Sequence, residues 1–262
     1  MTVPEPPVLR TEELTIRFGG HVAVDRVSCA FERGTLTAIV GPNGAGKTTY
    51  FNLISGQLRS SAGRVVLFGQ DITGLAAPRR TRAGIGRAFQ LTNLFPNLTV
   101  LENVRIAVQA RHDTGFDIWS LATRRRALIE MAEHHLSRTG LLDKMDAVAA
   151  SLPHGDQRKL EVAVLLALES EVLMFDEPTA GMSVDEVPVV LDLIHQIKAD
   201  TAKTILLVEH KMDVVRSLAD RIIVLHNGAL VADGAPEAVI ASDVVQQAYL
   251  GTTSTTPGAG HG

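Results

Sequence analysis

The sequence predicts an α/β fold built on a parallel sheet, with an added antiparallel β layer and an inserted α-helical subdomain. Three observations predict it. Short strand-like runs alternate with helical ones, and that alternation implies a parallel sheet covered on both faces. A glycine-rich loop, Gly41-Pro42-Asn43-Gly44-Ala45-Gly46-Lys47-Thr48, lies between a strand-like run and a helical one. From about residue 100 to 149 the glycines thin out and the apolar spacing becomes helical.

The elements follow in order. Residues 1–7 hold Glu5 and three prolines and read as a flexible start. Residues 14–18 and 27–31 are strand-like runs bounded by Gly19-Gly20 and Gly34. Residues 36–40 form a short apolar strand that runs into the glycine loop. Residues 48–55 read as a helix stopped by Gly56, and 64–68 as another strand. Helical spacing at 101–110 and 124–136, with Gly140 as a stop, marks the subdomain, placed at about 96–159. Helices at 156–168 and 187–198 and strands at 172–175, 204–208 and 222–225 resume the alternation. His226-Asn227-Gly228 is a hairpin turn into 229–232. Hairpins near both ends suggest the antiparallel layer. One domain is expected over 8–250, its core at about 8–95 and 160–250, followed by a disordered Gly/Thr/Ser tail at 251–262.

Composition excludes several functions. The 262 residues are 45% hydrophobic and 21% charged, which rules out wholesale disorder. Lys and Arg number 25 against 29 Asp and Glu, a net charge of −4, so no global basic field exists to hold nucleic acid or an anionic membrane. A single cysteine, Cys29, excludes an internal disulfide and a cysteine metal cluster. The apolar stretches at 162–168 and 172–175 are split by Glu169, Ser170 and Glu171, short of the roughly 18–20 residues a membrane span needs. The first seven residues lack the basic flank and apolar core of a secretory signal. A cytoplasmic chain is expected, reaching any membrane through a partner.

The loop at 41–48 fits G-x-x-x-x-G-K-[ST] in the required strand-to-helix context. A triphosphate needs several N–H donors at once, and glycines let the backbone curl around it without a Cβ clash. The following helix adds partial positive charge at its N-terminus. Lys47 supplies a point charge to the β and γ phosphates, and the Thr48 hydroxyl is a hard oxygen suited to Mg²⁺. Downstream, the apolar run 172–175 ends in Asp176-Glu177, and open parallel sheets bind ligands at the carboxyl ends of their strands. Asp176 can enter a Mg²⁺ shell and Glu177 can reach an attacking water; a solvated acidic turn before Pro178 is the alternative. His210, just past the strand at 204–208, can contact a γ-phosphate or serve only the structure. His210-Lys211-Met212-Asp213 lacks the asparagine of a guanine-reading motif, and Gly84-Ile85-Gly86 lacks the third glycine and the preceding strand of a dinucleotide fingerprint. Arg79, Arg80, Arg82 and Arg87 cluster before Gln90 and read as a solvated helix face.

With these motifs in this order, the chain resembles an ABC-type ATPase, the ATP-binding subunit of an ABC transporter, from about residue 8 to 251. The resemblance implies a P-loop NTPase (RecA-like) core that hydrolyses ATP with Mg²⁺. It places Phe18 against adenine, where stacking is worth about 1–3 kcal/mol. It puts Val24, Asn43, Gly44, Ala45, Gly46, Lys47, Thr48 and Thr49 around the nucleotide. Thr48, Gln90 and Asp176 become the Mg²⁺ ligands, Glu177 the catalytic carboxylate and His210 the switch histidine. It also implies a pair of cassettes, identical or sister, in which Pro153, His154, Gly155 and Asp156 of one reach the ATP of the other. Leu152-Pro153-His154-Gly155-Asp156-Gln157 departs from the usual L-S-G-G-[QE]-Q. Pro153 removes a serine hydroxyl whose bond to phosphate is worth about 1.5–3 kcal/mol. Ser183 stands where the family usually has aspartate.

Residues 94–104, 155–161 and 248–251 are similar to the importer branch for branched-chain (hydrophobic) amino acids and urea or amides. That branch implies membrane permeases and an extracytoplasmic substrate-binding protein as partners, permease docking near 95–102, and no nucleic acid. The alternatives are a cassette of an exporter or lipid-extraction system and a non-transport regulatory ATPase.

Overall fold

Polar residues inside the first hairpin hide its length. The computed structural model describes residues 5–88, 94–112, 121–243 and 245, by backbone alone at 121–125. In it β1 (Leu9–Phe18) and β2 (His21–Phe31) pair antiparallel around Gly19-Gly20. Both strands start earlier than the sequence suggests. Thr11 and Thr15 occupy buried positions, and Glu13 sits at φ +46 in an irregular stretch of the pairing, so the two-residue alternation breaks. The Thr11 hydroxyl is satisfied there: its Oγ1 lies 2.8 Å from the Tyr50 hydroxyl and accepts the Cys29 N–H at 3.1 Å. Burial pushes the Cys29 thiol up to about 11 and raises the Tyr50 phenol well above its ordinary value.

The chain divides into two compact units. The first holds the residues up to Phe31, Leu36–Gly74 and the chain from Val208 onward. Here β4 (Ala62–Leu67) pairs antiparallel with β1, and β5 (Gln70–Asp71) with β4, which completes the expected antiparallel layer in the order β2-β1-β4-β5. The strand β3 (Leu36–Val40) is buried at all five residues and runs parallel to β9 (Arg221–His226). β9 turns through Asn227 (φ +49) and Gly228 (φ +78) into antiparallel β10 (Ala229–Gly234). That two-residue left-handed turn matches the strand twist. Val40, Val215, Ile222, Val224 and Val239 form a core beneath α7 (Met212–Leu218) and α8 (Pro236–Ile240).

The second unit holds Glu32–Thr35 and Leu75–Leu207. β6 (Ile85–Ala88) and β7 (Val172–Asp176) pair in parallel, and β8 (Thr204–Val208) flanks β7. β6 was not expected. Its four residues include a glycine and an arginine, too little apolar signal for a strand. Gly86 is needed for packing: a Cβ there would lie 2.5 Å from Leu165 Cδ1 and 2.9 Å from the Ser170 hydroxyl. After α2 (Ala77–Ala83), three helices, α3 (Val100–His112), α4 (Leu121–Arg138) and α5 (His154–Ala167), bury a shared core of Val104, Val108, Ala132, Leu136 and Leu160. α6 (Val187–Lys198) follows β7 and spans the residues expected.

His135 on α4 sits at the edge of that core, 8% exposed, with a buried Nδ1 that makes no hydrogen bond. Burial lowers its pKa from 6.5 to about 4, helped by His134, Arg138 and His112 and opposed by Glu169. The folded value is depressed, so this neutral imidazole contributes its full stability above the unfolded pKa. The contribution is lost as pH falls from about 6.5 towards 4, where protonation favours the unfolded chain. Denaturant melts of His135→Leu are expected to lose about 2 kcal/mol of acid sensitivity across that window. An unchanged pH profile would contradict the assignment.

Candidate nucleotide site

Phe18, the glycine loop, Asp176, Glu177 and His210 stand at or just past the ends of strands. In the first unit, β3 ends at Val40 and the chain passes through three left-handed glycines, Gly41 (φ +149), Gly44 (φ +78) and Gly46 (φ +95), into α1 (Lys47–Ser55). The tightness of the fold selects two of them. A Cβ at Gly41 would lie 2.1 Å from the Leu225 carbonyl oxygen, and one at Gly46 2.4 Å from that of Ala23. At Gly44 a Cβ would meet nothing within 4 Å, so glycine there answers to φ and leaves open space over the loop. The Gly228 N–H donates to the Ala45 carbonyl at 3.0 Å and the Asp25 N–H to the Gly228 carbonyl at 2.8 Å, so the hairpin turn and β2 brace the loop.

Gly46 caps α1 without a side-chain bond, and Gly56 closes the helix in the left-handed region. Lys47 is 5% exposed; its Nζ donates to the carbonyls of Gly41 at 2.7 Å and Pro42 at 2.9 Å. Asn43, Gly44 and Thr48 are exposed, Thr49 is half-buried and Ala45 is buried. Phe18 ends β1 with half its surface exposed, and Val24 in β2 is fully buried. His210 is exposed just past β8. Its N–H and that of Lys211 both donate to the buried Glu209 carboxylate, at 2.8 and 3.2 Å, which shapes this turn.

In the second unit, β7 ends at the buried Asp176. The next residue, Glu177, adopts φ +50, a strained conformation for a side-chain-bearing residue and one that recurs at functional sites. Asp176 Oδ2 accepts a bond from Arg87 Nη2 at 2.6 Å, with side chains only 4% and 9% exposed. Burial pulls the Arg87 pKa down and Asp176 opposes that shift. For two of the four arginines this corrects the reading as a solvated face; Arg79 and Arg82 are exposed as expected. Arg87 lies in β6 beside β7, and Arg80 is 2% exposed, its Nε donating to the Leu75 carbonyl at 2.9 Å. The sequence offered no signal for Arg87, because the strand that carries it was not legible. Gln90 lies outside the described residues. The Asp176 carboxylate offers a hard oxygen of the kind a small divalent ion takes, as does the exposed Thr48 hydroxyl of the first unit.

The segment at 152–157 opens α5. The helix begins at His154, two residues before the expected start, because Pro153 (φ −54) caps it and its carbonyl accepts the Gln157 N–H at 3.0 Å. Pro153 and His154 are exposed and Gly155 is half-buried. Asp156 is committed elsewhere: Lys144 Nζ reaches Oδ2 at 2.5 Å and Lys159 Nζ reaches Oδ1 at 3.0 Å. These bonds hold its carboxyl below the usual range against the opposing effect of burial. Gly155 N–H donates to the carboxylate of Glu186 at 3.1 Å. Glu186 was missed, although Ser183-Val184-Asp185-Glu186 carries the S-x-x-E pattern of a capping box.

The family profile described as ABC transporter matches residues 24–180, which include the phosphate loop, the 152–157 segment and Asp176-Glu177. The chain belongs to the ABC transporter family. The cassette is 37% identical to the high-affinity branched-chain amino acid transport ATP-binding protein BraF of Pseudomonas aeruginosa, over 94% of its own length and 98% of that protein's. It is 38% identical, with the same coverage, to LivG of Escherichia coli K12, whose name describes the same transport role. Among solved structures it is similar to the ADP conformation of MJ1267, an ATP-binding cassette of an ABC transporter, with a TM-score of 0.79 and 28% identity over 93% of this chain and 98% of that one. It is also similar to cbiO1 of Clostridium perfringens, part of the ABC transporter complex cbiONQ, with a TM-score of 0.78 and 26% identity over 95% of this chain and all of that one. The cassette is therefore an ATP-binding, ATP-hydrolysing transporter subunit. Among the described residues no helix is long and apolar enough to cross a membrane.

Proposed function

We propose that this cassette powers an importer of branched-chain or related hydrophobic amino acids from the inner face of the membrane, through permease subunits it does not itself contain. The observation that carries this reading is the end-to-end similarity, 37–38% over 94% of the chain, to ATPases named for branched-chain amino acid transport. An extracytoplasmic binding protein would deliver the substrate, and the helical subdomain at about 96–159 would relay motion to the permease near Phe95 and Glu102. Phe95 is half-exposed there, its N–H and carbonyl tied to the Asn103 side chain at 2.7 and 3.1 Å.

Two cassettes, identical or sister, would pair head to tail. Lys47 and the amides of 44–46 would bind the phosphates, and Phe18 would stack on adenine. Mg²⁺, held by Thr48, Gln90 and Asp176, would neutralise phosphate charge. Glu177 would take a proton from the attacking water, with His210 at the γ-phosphate end. In trans, the Gly155 amide would meet the neighbour's γ-phosphate at the start of α5, where aligned N–H groups favour an anion. Asp156, neutralised by two lysines, would contribute through the helix it stabilises. ATP would favour the paired state because it touches both cassettes only when they close.

The test is ATP hydrolysis in vesicles carrying the partner permease. A binding protein loaded with leucine, isoleucine or valine is expected to raise the rate at least severalfold over the unloaded protein. A rate indifferent to these amino acids would overturn the substrate class.

A further inference from the structure

The Glu186 carboxylate has two sets of partners. Its Oε2 accepts the Ser183 N–H at 3.1 Å and the Ser183 hydroxyl at 3.0 Å, which ties down the Ser183 turn ahead of α6. The turn uses only that oxygen. Oε1 points away from it and accepts the Gly155 N–H at 3.1 Å. Glycine at 155 makes room for this approach, since a Cβ there would lie 3.1 Å from Oε1. The donors from Ser183, and then Gly155, hold the Glu186 carboxyl below its usual range, so it stays anionic at neutral pH.

An internal anion thus occupies the amide that the proposed function assigns to the neighbour's γ-phosphate. One N–H cannot satisfy both, and two anionic oxygens crowded on one hydrogen repel each other. We propose that Glu186 is a positioning residue, a placeholder that holds the Gly155 amide until the γ-phosphate of the neighbouring cassette displaces it. The inference rests on the trans-site reading and deepens it. Displacement releases the carboxylate from one side of the Ser183 turn, whose next residue, Val184, is 88% exposed. Arrival of nucleotide in one site is thereby felt in the segment where the family's aspartate is replaced by Ser183.

The experiment measures the ATP concentration for half-maximal pairing, by light scattering, in a Glu177→Gln background that hydrolyses slowly. Glu186→Ala is expected to lower that concentration about fivefold to tenfold, because the competing anion is gone. Glu186→Gln, which keeps an acceptor but loses the charge, is expected to fall between. ATP affinity at dilutions too low for pairing should be the same in all three. A residue that merely braces the turn predicts the opposite sign. An unchanged or raised requirement in Glu186→Ala, with the parent still pairing, overturns the placeholder. If Glu186→Ala fails to fold, an unchanged requirement in Glu186→Gln overturns it equally. A parent that never pairs at any ATP concentration overturns the trans-site reading, and the placeholder with it.

Discussion

Glu177→Gln is expected to bind ATP and Mg²⁺, to hydrolyse the nucleotide at least about a hundredfold more slowly, and to accumulate as a closed pair. Glu177 directly follows the buried end of β7, at φ +50, and its carbonyl accepts the Ala180 N–H at 3.0 Å. Its backbone is therefore set by the turn, whichever side chain it carries. Glutamine keeps the size and hydrogen-bonding reach of glutamate but cannot take a proton, so the loss isolates general-base chemistry. Removing one negative charge near a triphosphate also favours binding. Single-turnover hydrolysis and size-exclusion chromatography with ATP check the two halves. Near-normal turnover would remove Glu177 from the role.

Lys47→Ala is expected to weaken ATP binding by about a hundredfold, the equivalent of roughly 2–3 kcal/mol for a charge-assisted phosphate contact. Lys47 is 5% exposed and its ammonium donates to two loop carbonyls, Gly41 and Pro42, so it stands within the curl of the loop. Alanine removes the charge and leaves the glycine conformations in place, since those depend on the backbones of Ala23 and Leu225. Calorimetric titration is the check, and an unchanged affinity would contradict the assignment.

The parts legible in the sequence share one property: they are local. The glycine loop between β3 and α1, the Asn227-Gly228 turn and the span of α6 lie where expected, because each depends on φ preferences or apolar spacing within a few residues. The misreadings involve partners distant in the chain. β6 escaped notice because Gly86 is suited to Leu165 and Ser170, some eighty residues away. The early half of β1 escaped because its buried Thr11 is satisfied by Tyr50 and Cys29.

By itself, the sequence determined an α/β chain with a phosphate loop, a carboxylate pair after a buried strand and membership in a family of transport ATPases. Those traits reside in contiguous residues whose chemistry does not depend on what packs against them. Only the tertiary structure decided that Arg87 is the buried counter-ion of Asp176 and that Glu186 occupies the Gly155 amide. The physical reason is that desolvation and charge pairing are properties of neighbours in space. A surface arginine and a buried one, or a turn-bracing glutamate and a placeholder, are spelled identically.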